Sequence, residues 1–99
     1  MGSYPIELNP RGRTVLVVGH GAVGRRKAEG LAGAGARVIV VDPDLDLALE
    51  PGTGFEFRRE PYHDGHLAGM FLAVAAGPSE VNRRVVADAR RLGILVCSA

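Results

Sequence analysis

The glycine-rich segment Gly19–Gly24 constrains the fold of this chain more than any other part of the sequence. It reads G-H-G-A-V-G, which places its glycines at the spacing G-x-G-x-x-G. The apolar run Val15–Val18 precedes it and helix-forming residues follow it, so the local order is strand, glycine turn, helix. In such a turn Gly19 lets the chain leave the strand sharply, Gly21 lets a pyrophosphate approach the backbone, and Gly24 lets the helix pack closely on the strand. The segment therefore predicts a dinucleotide-binding loop.

Apolar runs and turn residues divide the whole chain into strands and helices that alternate at the lengths of βαβ units. The predicted strands span Arg13–Val18, Arg37–Val41, Phe55–Arg59, Met70–Ala76 and Ile94–Ser98. The predicted helices span Ala22–Ala34 and Pro78–Leu92, with one further helical turn over Leu45–Leu49. The first helix is expected to turn Val23, Ala28, Leu31 and Ala32 inward. Right-handed crossovers then predict an α/β fold, a three-layer Rossmann-type parallel sheet with strand order 3-2-1-4-5, in a single domain over residues 1–99.

Asp42 is the second candidate for cofactor binding. It lies at the end of the second predicted strand, eighteen residues after Gly24. A carboxylate at this point accepts hydrogen bonds from the adenosine ribose hydroxyls and repels a 2′-phosphate, which favours NAD over NADP. The alternative is that Asp42 only forms the turn before Pro43. Because the glycine loop and the acidic residue occur together at the expected distance, we expect the ribose role.

The composition is typical of a globular cytoplasmic domain. A formal net charge of +1 over 99 residues argues against a nucleic-acid partner, which a concentrated basic face would attract. No apolar run approaches the roughly 20 residues that cross a membrane. The single cysteine, Cys97, excludes an intramolecular disulfide and is expected to be buried on a central or near-central strand. The arginine pairs at 25–26, 83–84 and 90–91, and Asn82 beside them, are interpreted as solvated helix faces.

The histidines offer weaker signals. His20, inside the glycine loop, is expected to point to solvent beside the cofactor. His63 and His66 are three residues apart, so on a helical turn they could share a face and bind a metal. The sequence shows no clear third ligand near them, and we therefore expect a polar loop and no metal.

Seven short motifs occur in a fixed order along the chain. They are Tyr4–Ile6, Gly12–Gly19, Gly21–Gly24, Arg26–Ala28, Gly35–Val38, Glu80–Val85 and Gly93–Val96. Together they resemble the N-terminal domain of siroheme synthases, which are precorrin-2 dehydrogenases and in some members also sirohydrochlorin ferrochelatases. The resemblance covers nearly the whole chain. Its most specific part is the combination of the P-I opening, the loop followed by R-K, and the E-V-N-R-R segment.

The resemblance implies an oxidoreductase of siroheme biosynthesis, a branch of porphyrin biosynthesis, that binds NAD and oxidises precorrin-2 to sirohydrochlorin. By motif position, cofactor contacts are expected at Ala22 and Val23 in the loop and at Pro43 and Asp44 after the second strand. Ala76 is expected to border the nicotinamide half. The implied partner is the tetrapyrrole substrate, and a homodimer is left open.

The sequence departs from the family pattern in two places. Gly77–Pro78 stand where the family usually has polar residues after the fourth strand. The family's aspartate implicated in catalysis lies just past the fifth strand, followed by a dimerisation segment and a helical domain, and the sequence stops at Ala99 before them. The catalytic residue is therefore unknown, and ferrochelatase activity is not expected. The alternative function is a non-catalytic module that binds or senses NAD(H).

Overall fold

A computed structural model describes residues 2–46 and 54–98 of the chain. Its elements are β1 (Thr14–Val18), α1 (Ala22–Gly33), β2 (Arg37–Val41), β3 (Glu56–Arg58), β4 (Leu72–Ala75), α2 (Ser79–Leu92) and β5 (Leu95–Ser98), with a short 3₁₀ turn over Asp64–Leu67 before β4. The strands form one parallel sheet in the order β3-β2-β1-β4-β5. The predicted fold class and strand order are confirmed. In the described ranges no helix is long and apolar enough to cross a membrane.

The central strand β1 is buried on both faces, which explains its unbroken apolar run. Leu16 and Val18 pack on one face with residues of α2, among them Val85. Val15 and Val17 pack on the opposite face with Ala28 of α1. This alternation follows from the two-residue period of a strand and gives the three layers helix, sheet, helix.

The structure corrects several details of the elements. Val23 is 45% exposed, because the face of α1 that meets the sheet is formed by Gly24 and Ala28, four residues apart. Cys97 is half-buried on β5, which is an edge strand, and is not central. Pro78 precedes the first residue of α2 as its N-cap and is not itself helical.

The predicted helical turn over Leu45–Leu49 falls mostly outside the described residues. Leu45 and Asp46 are described and are not helical, and residues 47–49 lie in the gap between the two described ranges. Leu45 is buried on the α1 side of the sheet, 5% exposed, so the chain after β2 remains packed against the core at this point.

Candidate functional site

A cavity of about 380 Å³ opens at the carboxyl ends of β1, β2 and β4. Its wall consists of Val18, Gly19, His20, Gly21, Val41, Asp42, Pro43, Asp44, Pro61, Tyr62, Ala76, Gly77, Pro78, Val81 and Arg84. The strand order reverses at β1, since the next strand along the chain lies on one side of it and β4 on the other. In open parallel sheets ligands bind at this reversal, outside the carboxyl ends of the strands.

The three motif glycines occupy positions where a side chain would have different consequences. Gly19 has φ 101°, and a Cβ there would overlap the carbonyl oxygen of Ala76. A Cβ on Gly24 would overlap the carbonyl oxygen of Gly19 and would lie 3.4 Å from the Cβ of Ala76. A Cβ on Gly21 would meet no described heavy atom within 4 Å. Gly19 and Gly24 are therefore required by internal packing, whereas Gly21 keeps open a space that a ligand could enter.

The amino end of α1 follows directly from this loop. Gly21 is the N-cap, and no side chain among the described residues caps the helix there. The first intrahelical hydrogen bond runs from the N–H of Arg25 to the carbonyl of Gly21 at 2.9 Å. The preceding N–H groups, those of Ala22, Val23 and Gly24, are the ones a helix leaves for an external acceptor, and the positive end of the helix dipole favours an anion. These three residues do not contribute to the cavity wall as the described residues form it.

Asp42 fixes the two chain segments beside the cavity. One carboxylate oxygen accepts the N–H of His20 at 2.8 Å, and the other accepts the N–H of Asp44 at 2.8 Å. The second bond makes the turn that the sequence offered as the alternative for Asp42. A carboxylate has about four acceptor sites, so these two bonds leave capacity for hydroxyl donors of a ligand. The turn and the ribose role are thus compatible in one side chain.

His20 does not point to solvent as the sequence suggested. The residue is 8% exposed, and its ring meets the ring of Phe57 edge to face, with centroids 5.4 Å apart. Phe57 belongs to β3, so the edge strand covers the glycine loop through this contact. The two residues are far apart in sequence, and no local pattern could have paired them.

Tyr62 and Arg84 form a polar wall of the cavity that sequence reasoning missed. The Tyr62 hydroxyl donates to a carboxylate oxygen of Asp88 at 2.8 Å. Arg84 donates to the Tyr62 carbonyl at 3.3 Å and holds its guanidinium carbon 5.4 Å from the centre of the Tyr62 ring. Burial, and then the hydrogen bond to Asp88, raise the pKa of Tyr62 above its ordinary value of 10.0. The phenol is therefore protonated at neutral pH, while Arg84 brings a positive charge to the cavity.

Asn82 holds the loop after β4 through two hydrogen bonds to Gly77. The N–H of Gly77 donates to the Asn82 side-chain oxygen at 2.9 Å, and the Asn82 amide donates to the Gly77 carbonyl at 2.9 Å. The expectation that Asn82 is simply solvated is wrong, because the side chain turns back to satisfy both backbone groups of Gly77. Ala76 and Gly77 are thereby fixed at the edge of the cavity.

His63 and His66 lie away from this cavity and acquire a third neighbour. Glu60 places a carboxylate oxygen 2.6 Å from the Nε2 atom of His66. The sequence gave no third ligand for the two histidines, because Glu60 approaches His66 only through the bend between β3 and the 3₁₀ turn.

Known proteins match this chain over nearly its whole length. A family model described as putative NAD(P)-binding matches residues 6–99. The chain is 47% identical over 102 residues to the siroheme synthase of Chromobacterium violaceum, covering 97% of this chain and 21% of that protein. It is 40% identical over 98 residues to siroheme synthase 2 of Aeromonas salmonicida, covering 97% of this chain and 20% of the relative.

Solved structures with a similar fold include a precorrin-2 dehydrogenase. The fold superposes on SirC, precorrin-2 dehydrogenase, with a TM-score of 0.82 and 26% identity, covering 97% of this chain and 50% of that one. It also matches the pyruvate reductase of Chlamydomonas reinhardtii with a TM-score of 0.64 and 24% identity, covering 94% of this chain and 28% of that one, a likeness of fold alone. The chain spans about a fifth of the curated relatives it matches and half of SirC.

Proposed function

Because this chain belongs to the siroheme synthase N-terminal domain family, we propose that its residues 1–99 form the NAD-binding part of a precorrin-2 dehydrogenase. The observation that carries the proposal is the cavity at the carboxyl ends of β1, β2 and β4. Gly19, His20 and Gly21 of the glycine loop border it together with Asp42 and Ala76. The reaction would oxidise precorrin-2 to sirohydrochlorin.

The phosphate side of the cofactor would be held by backbone groups. Gly21 leaves open space in front of the loop. The amino end of α1, which no described side chain caps, offers N–H groups and a positive dipole end. The pyrophosphate would therefore rest against Gly21, Ala22 and Val23. This arrangement requires no basic side chain.

The preference for NAD would come from Asp42 and Asp44. The remaining acceptor sites of Asp42 suit the adenosine ribose hydroxyls. A 2′-phosphate at this point would be repelled by both carboxylates. Arg37 cannot relieve the repulsion, because it lies at the other end of β2 and its guanidinium pairs with Glu56 at 3.0 Å.

The nicotinamide half would face Ala76, Gly77 and Val81, whose apolar atoms would help to exclude water from the reacting ring. The bound cofactor would supply the chemistry, the acceptance of a hydride from the substrate. Arg84 adds a positive charge that suits a tetrapyrrole with carboxylate side chains. Tyr62 stays protonated against Asp88, so its role is to hold the wall, and we assign no catalytic residue within this chain.

Calorimetry with NAD⁺ and NADP⁺, followed by incubation with NAD⁺ and precorrin-2, tests the proposal. We expect one NAD⁺ per chain, weaker NADP⁺ binding, and sirohydrochlorin absorbance after addition of the substrate. Asp42→Ala should weaken NAD⁺ binding at least about tenfold, the effect of losing roughly 1.4 kcal/mol. Glu29→Gln is the matched control, because Glu29 is an exposed acid on α1.

Two results would argue against the proposal, each in a different way. NAD⁺ binding with no turnover would favour the alternative, a non-catalytic NAD(H)-binding or sensing module. The absence of binding to any adenine dinucleotide would contradict both functions.

A further inference from the structure

Three metal-ligating side chains meet outside the dinucleotide cavity. Glu60, His63 and His66 each offer one ligand atom, and these atoms all lie within 4.8 Å of one another. We infer that they form a binding site for a divalent transition metal ion, with Zn²⁺ as the reference ion. Nothing in the proposed dehydrogenase function requires such a site, so a result against the metal site would not count against that function, and the reverse also holds.

The local fold brings the three side chains together. His63 is the N-cap of the 3₁₀ turn and His66 is three residues further on, a spacing at which side chains eclipse in this type of helix. Their ring centroids are 3.9 Å apart and their planes are tilted by 32°. Glu60, between β3 and the turn, closes the cluster through its 2.6 Å contact with His66 Nε2.

The chemistry of the cluster suits a borderline metal ion. Two imidazoles and one carboxylate form a donor set that zinc accepts, with one position left open, and that other first-row transition metals share. Magnesium and calcium prefer oxygen ligands throughout. Glu60, whose carboxylate lies against His66, would supply the negative charge of this donor set.

The cluster lines a second cavity, of about 380 Å³, on the face of the sheet that packs against α2, where Leu16 and Ile39 lie. Glu60, His63 and His66 line this cavity together with Thr14, which begins β1. Pro61 and Tyr62, from the same segment, line the dinucleotide cavity instead. A metal ion bound to the cluster would therefore not occupy the cofactor's space.

The hydrogen bonds of the two rings set the strength of the site. His66 Nδ1 accepts the N–H of His63, and His63 Nδ1 accepts the N–H of Gly65, each at 3.1 Å. Both neutral rings therefore carry their proton on Nε2. A metal ion that takes the Nε2 lone pair requires this proton to move to Nδ1, and the two backbone N–H groups must then turn to water.

This tautomer change weakens metal binding by a calculable amount. Each backbone hydrogen bond lost corresponds to about a fivefold factor in the binding constant. Because His63 and Gly65 are exposed, water can replace the lost acceptors. We therefore expect weaker binding than at a closed structural zinc site with four ligands.

Calorimetric titration of the metal-free chain with Zn²⁺ is the first test. We expect one Zn²⁺ per chain, and at least tenfold weaker binding in Glu60→Gln and in His63→Gln. Both replaced residues are at least partly exposed, whereas His66 is buried and is left in place. Asp64→Asn is the matched control, because Asp64 lies in the same turn but pairs with Arg91 at 3.2 Å outside the cluster. Unchanged Zn²⁺ affinity in both cluster variants would overturn the inference.

Imidazole ¹⁵N NMR on the unaltered chain gives a second readout that does not depend on any variant. Zn²⁺ should move the ring proton of His63 and His66 from Nε2 to Nδ1 and leave the spectrum of His20 unchanged. Rings of His63 and His66 that keep the Nε2 proton at saturating Zn²⁺ would contradict the site.

Discussion

Gly24 provides a sharp test of how the glycine loop is built. A methyl group at this position would overlap the carbonyl oxygen of Gly19, which is a backbone atom and cannot rotate away. It would also touch the Cβ of Ala76 at 3.4 Å. Gly24→Ala can therefore be accommodated only if α1 moves away from β1 or the loop changes shape.

The cost can be worked from these contacts. Overpacking a close-packed site costs about 1–3 kcal/mol, and contact with backbone places Gly24→Ala at the upper end of that range. Alanine recovers up to about 1 kcal/mol of helix propensity relative to glycine. The net loss is about 2 kcal/mol, a large part of the roughly 5–15 kcal/mol that stabilises a folded domain. Because the loop shifts, NAD⁺ binding should also weaken at least about tenfold.

Gly30→Ala is the matched control on the same helix. Gly30 is exposed, and a Cβ there would meet no described heavy atom within 4 Å. The same substitution should therefore stabilise the chain by up to about 1 kcal/mol. Urea unfolding followed by circular dichroism measures both variants, and calorimetry measures NAD⁺ binding. A Gly24→Ala chain as stable as the parent, or with unchanged NAD⁺ affinity, would refute the packing role assigned to this glycine.

Three further predictions concern the walls of the dinucleotide cavity and the edge strand β3 of the sheet. Asn82→Ala should lose about 1–2 kcal/mol in urea unfolding and weaken NAD⁺ binding, because both backbone groups of Gly77 lose their partner; unchanged binding would show that this loop does not touch the cofactor. Tyr62→Phe should cost about 1.5 kcal/mol through the lost hydrogen bond to Asp88, and an unfolding midpoint equal to that of the parent would contradict the bond. Arg58 and Arg37 lower the pKa of Glu56 below its ordinary value of 4.5, so the stability that the ionised carboxylate contributes is present above pH 4.5. That stability is lost as the pH falls through the lowered pKa of Glu56. Glu56→Gln should remove that part of the acid dependence in low salt and have less effect in high salt, as measured by unfolding on either side of pH 4.5.

The fold was predictable from the sequence because its signals are local. The run Val15–Val18 and the glycine spacing determine β1, the turn and α1 within a dozen residues, and right-handed crossovers then leave one sheet order. The edge position of β5 follows from that same order, so the expectation of a central or near-central strand for Cys97 was inconsistent with it. Val23 was misplaced because Gly24, which lacks a side chain, is the residue that meets the strand.

The far walls of the cavity were not predictable in the same way. Phe57 covers His20, and Asp88 accepts the hydrogen bond of Tyr62. The residues of each pair are far apart in sequence, so neither strand or helix periodicity nor motif spacing can pair them. Glu60 meets His66 only after the chain has bent between β3 and the 3₁₀ turn. Spacing therefore located the glycine loop and Asp42, whereas the residues that enclose the cavity required the fold.

Amide ¹H–¹⁵N spectra of the chain, recorded as NAD⁺ is added, test the central claim most directly. The account predicts saturable shifts that cluster at three places: Gly19–Gly24, the pair Asp42 and Asp44, and Ala76–Gly77. Smaller changes are expected at the amino ends of the strands, since they lie away from the cavity. If saturating NAD⁺ leaves the amide signals of these three groups unshifted, or shifts the signals of a different surface instead, the glycine-loop cavity is not the cofactor site.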